Sequence, residues 1–558
     1  MPLGVLLIAL VPSWAAEAEE TVDLATVHLI KQEAFKNSQV MDHLFYLTDV
    51  NGPRLTNSPG QRAAADWAVK TLKSWGIENA RLETWGKFGR SWSLTKFTMS
   101  LREPVYASLP GVPLAWSSGT KGMVKGDAVL APLFTTQELG RNEHRDPGKL
   151  AARIEKYIAE NKGKLRGKFV LLTEAREMEQ ATESPSHRLD DKELAQLKQA
   201  PEPFVAPRVD WPVQSLPDDP KKREEVLESL PFEVGSEMYL RLRRTRNRLN
   251  AFFKEEAPLA IVSGDVRGTG SIVFAEAGGS WELGTPIPPP VIAMALEPYD
   301  RLCRLAARNI PIKIELDVET TIDESSPDAT NVIAEIPGGK KKDEVVMLGA
   351  HLDSWQSGTG ATDNAAGSAV VLEAMRILKT LGLPVDRTVR VALWTGEEQG
   401  IWGSRGYVKN HFADPVAMKL LPEHAKLSGY FNVDNGTGKI RGVYLQGNDM
   451  MRPIFKAWLE PFEDMGVTTI SIQNTGGTDH LPFDAVGLPG FQFIQDPLDY
   501  STRTHHSNID VYDHAQEGDL LQAAAVLASI VYDAATRPEM LPRKPLPKPL
   551  PPKGREPE

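Results

Sequence analysis

Thiol chemistry is almost missing from this chain. A single cysteine, Cys303, stands among 558 residues, so no internal disulfide can form. It lies in an apolar, helix-like run and not beside a base that would make it a nucleophile. There is no G-x-S-x-G elbow either, which leaves serine-type hydrolysis without its strained strand-to-helix turn. Net positive charge is also lacking: the formal charge is -11, which argues against nucleic acid as a partner. The basic run RLRRTRNRLN at 241–250 reads as one solvated face of a helix. No internal repeat is visible. The apolar run from Leu3 to Val11 is too short to cross a membrane, and no membrane span is expected.

What is present begins with the layout of a secretory signal over residues 1–18. Its apolar core is followed by Ala15, Ala16 and Ala18, although the usual basic start is missing. No cysteine follows the small residues, which removes a lipoprotein reading. An exported, periplasmic or secreted protein without disulfides depends on its core, or on metal, for stability. The length exceeds one ordinary core and predicts two domains. Residues 20–102 and 323–537 read as the two parts of one α/β unit, and 103–322 as a β-rich insert with a charged elaboration at about 183–248. The Pro/Lys-rich tail at 538–558 should be extended and unpacked.

The stretch VVMLGAHLDSWQSGTGATDNAAG at 345–367 organises the rest. Val345 to Leu348 form an apolar run without alternation, as in a strand covered on both faces. His351 and Asp353 follow at its carboxyl end, then a Gly-rich loop with Asp363 and Asn364, then helical spacing over 368–380. Further strands are expected at Asn331–Glu335, Arg390–Trp394, Gly429–Val433, Gly442–Leu445 and Gly490–Ile494. Helices at 402–411, 451–464 and 517–535 alternate with them. The fold class is therefore α/β, a mixed, mostly parallel sheet flanked by helices. Short strands at Gly122–Leu130, Lys168–Leu172, Ala260–Val262, Ser271–Phe274 and Val291–Met294 belong to the insert.

Ligand-bearing residues sit at the carboxyl ends of these strands, where open α/β sheets bind ligands. They are His351 with Asp353, Asp363, Glu397-Glu398 and Asp434, joined by His505 and His506 in a polar loop. Each alone is more often a cap or a loop solvator. Together they offer imidazole and carboxylate without thiolate, which suits zinc, and five candidates suffice for two metals sharing a bridging carboxylate. Of the adjacent glutamates, one can ligate while the other acts as general base.

The motifs GAHLDS at 349–354, GATDNAAG at 360–367, WTGEEQGIWGS at 394–404, FNVDNG at 431–436, GGTDHLPF at 476–483 and THHSNID at 504–510 resemble those of the M28 zinc aminopeptidases and carboxypeptidases, as does NGPRLTNSPGQRAAADW at 51–67. The likeness is greatest to the carboxypeptidase Q type, and GKFVLL at 167–172 with 288–316 resembles an inserted protease-associated (PA) domain. This resemblance implies a zinc exopeptidase fold with two zinc ions per chain. His351, Asp363 and Asp434 would hold one ion, and Asp363, Glu398 and His506 the other. Glu397 would be the general base and Asp353 the carboxylate that orients His351. The Asp363–Asn364 peptide would be cis. Asp479, His480, Tyr500 and His505 fall where the family lines its substrate pocket. The implied reaction is hydrolysis of terminal bonds of peptides or dipeptides, with aminopeptidase favoured over carboxypeptidase or dipeptidase. A single-zinc glutaminyl cyclase and a non-catalytic receptor-like homologue are the alternatives, and a homodimer is compatible with all of these.

Overall fold

The computed structural model describes residues 20–558 except 141–142, 177–181, 202–210, 212, 214–215, 218, 266, 552 and 554–558. The signal expected at 1–18 lies outside the described residues. Two eight-stranded sheets dominate. The first runs, in spatial order, Glu78–Lys87, Asp328–Ile336, Arg387–Trp394, Lys341–His351, Leu427–Asn432, Gly490–Gln495, Ile440–Tyr444 and Thr469–Ser471. Its centre is parallel, Arg387–Trp394 to Lys341–His351 to Leu427–Asn432 to Gly490–Gln495. The flanking pairs Glu78–Lys87 with Asp328–Ile336 and Ile440–Tyr444 with Gly490–Gln495 are antiparallel.

The central strand is apolar on both faces because helices cover both. Val346 and Leu348 pack into the core with helices Ala366–Thr380 and Glu517–Thr536, while Val345 and Met347 face the layer holding Trp394, Tyr407 and Phe483. Helix Glu517–Thr536 is long and apolar enough to cross a membrane, yet it is almost wholly buried in this core.

The second sheet contains Ser91–Glu103, Lys313–Asp323, Val124–Phe134, Phe169–Thr173, Ala260–Gly264 and Val291–Met294, with short strands at its ends. A boundary at 103 is thus too late. Strand Ser91–Glu103 pairs along Lys313–Asp323 in the second sheet, its alternation carrying Met99 and Leu101 into that core. Ser271–Phe274 is no strand: Phe274 makes one isolated bridge to Ser507. Where the two sheets meet, Phe88, Trp92, Trp116, Trp281 and Trp355 form a shared aromatic cluster.

The tail is extended but not unpacked. Leu541 is buried in the main core, Arg543 donates to the carbonyls of His424 and Leu427, and Lys544 pairs with Asp484. Its prolines rule out regular structure but not docking through the residues between them.

A buried polar network ties the N-terminal helices to Ala366–Thr380. Arg376 donates to Glu373 and Glu33, and His43 Nε2 lies 3.1 Å from Glu373. Burial alone would raise the Glu373 carboxyl, but His43 and Arg376 overcome it and hold it at about 2. A depressed acid stabilises the fold fully above its unfolded value near 4.5, and that contribution is lost as pH falls toward 2. Glu373→Gln should therefore cost about 3–5 kcal/mol at neutral pH, measured by denaturant unfolding. Below pH 3 the gap to the wild type should narrow; a gap that widens there would contradict this account.

Candidate metal centre

The strand Lys341–His351 delivers His351 to the sheet's carboxyl edge, and the loop after it is held by buried side chains. Gly360 has φ +64°, and a Cβ there would lie 2.3 Å from Ser354 Cβ. At Gly367 a Cβ would lie 2.3 Å from the Val433 carbonyl, so helix Ala366–Thr380 can approach the neighbouring strand end only without one. The Asp363–Asn364 peptide is cis. Arg54, fully buried, donates to the carbonyls of Leu47, Leu352, Thr359 and Gly360 and so clamps the loop to the N-terminal segment.

The geometry centres on Asp363. Its Oδ1 lies 3.2 Å from His351 Nε2, which is also 3.4 Å from Asp434 Oδ1. Its Oδ2 lies 3.3 Å from His506 Nε2, which is in turn 2.9 Å from Glu398 Oε2. One carboxylate thus presents its two oxygens to two different triads. His505 stacks on His506 with ring centroids 3.7 Å apart, and its Nε2 is 3.7 Å from Asp363 Oδ2. His505 is the more exposed of the two and does not touch Glu398.

Second contacts fix these side chains. His351 Nδ1 meets the backbone oxygen of Asp353 at 2.9 Å, while the Asp353 carboxylate stands 3.7 Å away. Asp353 thus holds His351 through its carbonyl, with its carboxylate beside the same nitrogen. That carboxylate also accepts from the amides of Glu397 and Glu398 and from Thr56 Oγ1. That tie holds the two glutamates at the end of strand Arg387–Trp394. Glu398 then reaches His506, and the Glu397 side chain makes no hydrogen bond to the described residues. Asp510 accepts from the amides of Thr362 and Asp363. Glu276, from the middle region, meets His506 Nδ1 at 3.0 Å.

The weaker pocket expectations divide. Tyr500 is half-buried, packed against His505 and Gly436, and its hydroxyl is pushed up by burial and by the charges of Asp363 and Asp434. Asp479 is fully buried and bound by Ser404 Oγ at 2.5 Å. His480 is fully buried against the Thr475 carbonyl and Gln446. It starts the short helix Leu481–Asp484, where Pro482 and Phe483 turn inward.

Negative charge is in excess here. Asp353, Asp363, Glu397, Glu398, Asp434, Asp479 and Asp510 are all buried, with three histidines and Arg54 to balance them. Burial and the nearby Asp363 push Glu398 up to about 8; burial lifts Asp479 to about 8 and, with Asp363 again, Asp510 to about 7. Burial also raises Glu397 well above the ordinary carboxylate range, helped by Asp434, Asp479 and Glu398. Burial works against a charged His351, yet Asp434, Asp353 and Asp363 keep the ring protonated well above its ordinary range.

His351 Nε2, Asp363 Oδ2, Glu398 Oε1 and Asp434 Oδ1 are buried with no hydrogen-bond partner. Buried polar atoms left unpartnered among so many carboxylates cost free energy unless a cation is present. Two overlapping groups, His351 with Asp363 and Asp434, and Asp363 with His505 and His506, have ligand atoms close enough to hold an ion. The residues fit divalent metal of the zinc type.

Residues 331–531 match peptidase family M28. The chain is 34% identical over 256 residues to carboxypeptidase Q of Mus musculus, covering 46% of this chain and 52% of that protein. It spans about half the length of the curated relatives it matches first. Its fold is similar to the crystal structure of a peptidase M28 precursor from Shewanella amazonensis SB2B, with a TM-score of 0.61 at 23% identity, covering 94% of this chain and 98% of that one. It is also similar to the structure of BSAP, described as a zinc aminopeptidase from Bacillus subtilis. There the TM-score is 0.51 at 17% identity, covering 90% of this chain and 95% of the other.

Proposed function

We propose, from the match of residues 331–531 to peptidase family M28, that the site is the reaction centre of a zinc-dependent exopeptidase that hydrolyses terminal peptide bonds. One observation carries the reading: Asp363 offers Oδ1 to the His351–Asp434 side and Oδ2 to the His506–Glu398 side. His351, Asp363 and Asp434 would hold one zinc, and Asp363, Glu398 and His506 a second. A bound pair of this kind supplies Lewis-acid polarisation of the scissile carbonyl and lowers the pKa of the attacking water.

The chain's own groups supply the rest. Glu397, beside the ligand glutamate and with a side chain free of hydrogen bonds among the described residues, takes the proton from the attacking water and returns it to the leaving amine. The Asp353 carboxylate, by fixing both backbone amides, lets the two neighbouring glutamates serve different tasks. Glu276 holds the His506 ring in place through Nδ1, as a carboxylate partner of a ligating histidine does. Tyr500 contributes a hydroxyl, kept protonated, that can donate to the developing oxyanion. His505 lies at the substrate side.

The test is a panel of aminoacyl chromogenic substrates and dipeptides, unblocked, N-blocked or C-blocked, with and without chelator. Cleavage of substrates with a free terminus, abolished by chelator and restored by zinc, is the expected outcome. Chelator-insensitive cleavage, or none of any substrate, would contradict the reading.

A further inference from the structure

The basic run at 241–250 is not a uniformly solvated face. In helix Phe232–Glu256, Tyr239, Arg243, Arg246, Asn247 and Asn250 fall at helical spacing on one side. From Arg243 onward, this side lines a shallow cleft together with the segment Ala277 to Glu282. Arg243 donates to the Tyr239 hydroxyl at 2.6 Å, and its guanidinium lies over the rings of Tyr239, Trp281 and Trp355 at 4.9, 5.3 and 5.8 Å. It also stands 3.7 Å from Glu276, the partner of His506. The cleft therefore abuts the metal centre, separated from His506 by one carboxylate.

Donors remain unspent there. Arg246 is solvent-exposed and has no hydrogen bond or ion pair among the described residues, and the side chains of Asn247 and Asn250 have no hydrogen bond among them either. Three guanidiniums, those of Arg243, Arg244 and Arg246, line the cleft with one carboxylate, Glu282, which Arg244 pairs at 2.8 Å; the surplus positive charge and the two amides favour an anion, and Arg is the side chain best shaped to grip a carboxylate. The chain Arg243–Glu276–His506 places this wall next to the metal centre, so a carboxylate gripped there while the scissile bond lies at that centre belongs to a residue near the cut.

We propose that this wall of helix Phe232–Glu256 is the substrate-carboxylate subsite, with Arg246 its free gripping group and Arg243 set between it and Glu276. The inference rests on the exopeptidase reading and narrows it to short substrates that present a carboxylate, either the free C-terminus or an acidic side chain next to the cut.

The experiment compares kcat/KM of the full chain and of Arg246→Ala on three substrates. These are a neutral dipeptide, its C-terminal amide, and a C-terminal amide with an acidic second residue. The wild type should favour the free acid over the neutral amide by about tenfold or more, and Arg246→Ala should pull that ratio toward one, chiefly through KM. A preference that instead follows the acidic side chain and collapses in the variant places the gripped carboxylate there. Ratios near one in the wild type, or ratios unchanged by the substitution, overturn the subsite.

Calorimetric binding of the same ligands to the metal-free chain separates the two ideas. An acid preference that depends on Arg246 without turnover retains the subsite and removes the peptidase reading. Equal binding of all three ligands removes the subsite.

Discussion

Glu397→Gln should lower kcat by roughly 10²- to 10⁴-fold, the range of a lost general base, while the bound metal is unchanged. The substitution keeps the shape and the backbone tie of Glu397 to Asp353, and no hydrogen bond of the side chain among the described residues is broken. What disappears is the capacity to accept a proton. Burial, with Asp434, Asp479 and Glu398 nearby, already favours the neutral acid at Glu397, so the group is poised to take up and hold a proton while the bond is being cut. A bound cation draws this affinity back toward neutrality. KM should change little, because binding and transition-state proton transfer are separate tasks. Steady-state kinetics with metal analysis on the same preparation decides it. Turnover within a few-fold of the wild type would remove Glu397 from the reaction.

The second large effect is expected at Asp363. Asp363→Ala removes the one side chain common to both triads, leaving His351 beside Asp434 and His506 beside Glu398 with no shared ligand. Burial opposes ionisation of Asp363, but His351, 3.2 Å away, and the charges of His505 and His506 hold it ionised. It is therefore a ready anion for cations. Its loss should abolish binding at both positions together, and activity with it. By contrast, Asp434→Ala should strip one position first. Loss of a single equivalent in Asp363→Ala, the other retained, would show that this carboxylate does not bridge.

What could be read from residues alone divides along physical lines. The central strands were legible because a strand covered on both faces needs an unbroken apolar run, and Val345–Leu348 and Arg390–Trp394 supply it. Polar residues directly after such runs mark strand ends, which is how His351, Glu397, Glu398 and Asp434 stand out. Contacts between segments far apart in sequence leave no such mark. Arg54 reads as part of a turn, and only the fold shows it holding four carbonyls. Asp510 was visible within THHSNID, but not as the acceptor beneath Thr362 and Asp363. Glu276 follows a run that resembles a strand, Ser271–Phe274, and the loop 506–508 pairs with that run instead, which brings Glu276 to His506. Helical periodicity showed that residues 241–250 have two faces. It could not say that one of them meets Trp281 rather than water. Proline in the tail predicted irregular backbone correctly, while the burial of Leu541 depended on a groove made by other segments.

The central claim is that side chains from five separate segments hold a pair of cations through one shared carboxylate. Zinc titration of the chelator-stripped full chain, followed by calorimetry and by native mass spectrometry, tests it most directly. The account predicts two equivalents taken up by the wild type and none by Asp363→Ala. No zinc uptake by the wild type, or uptake that Asp363→Ala leaves intact, would contradict it.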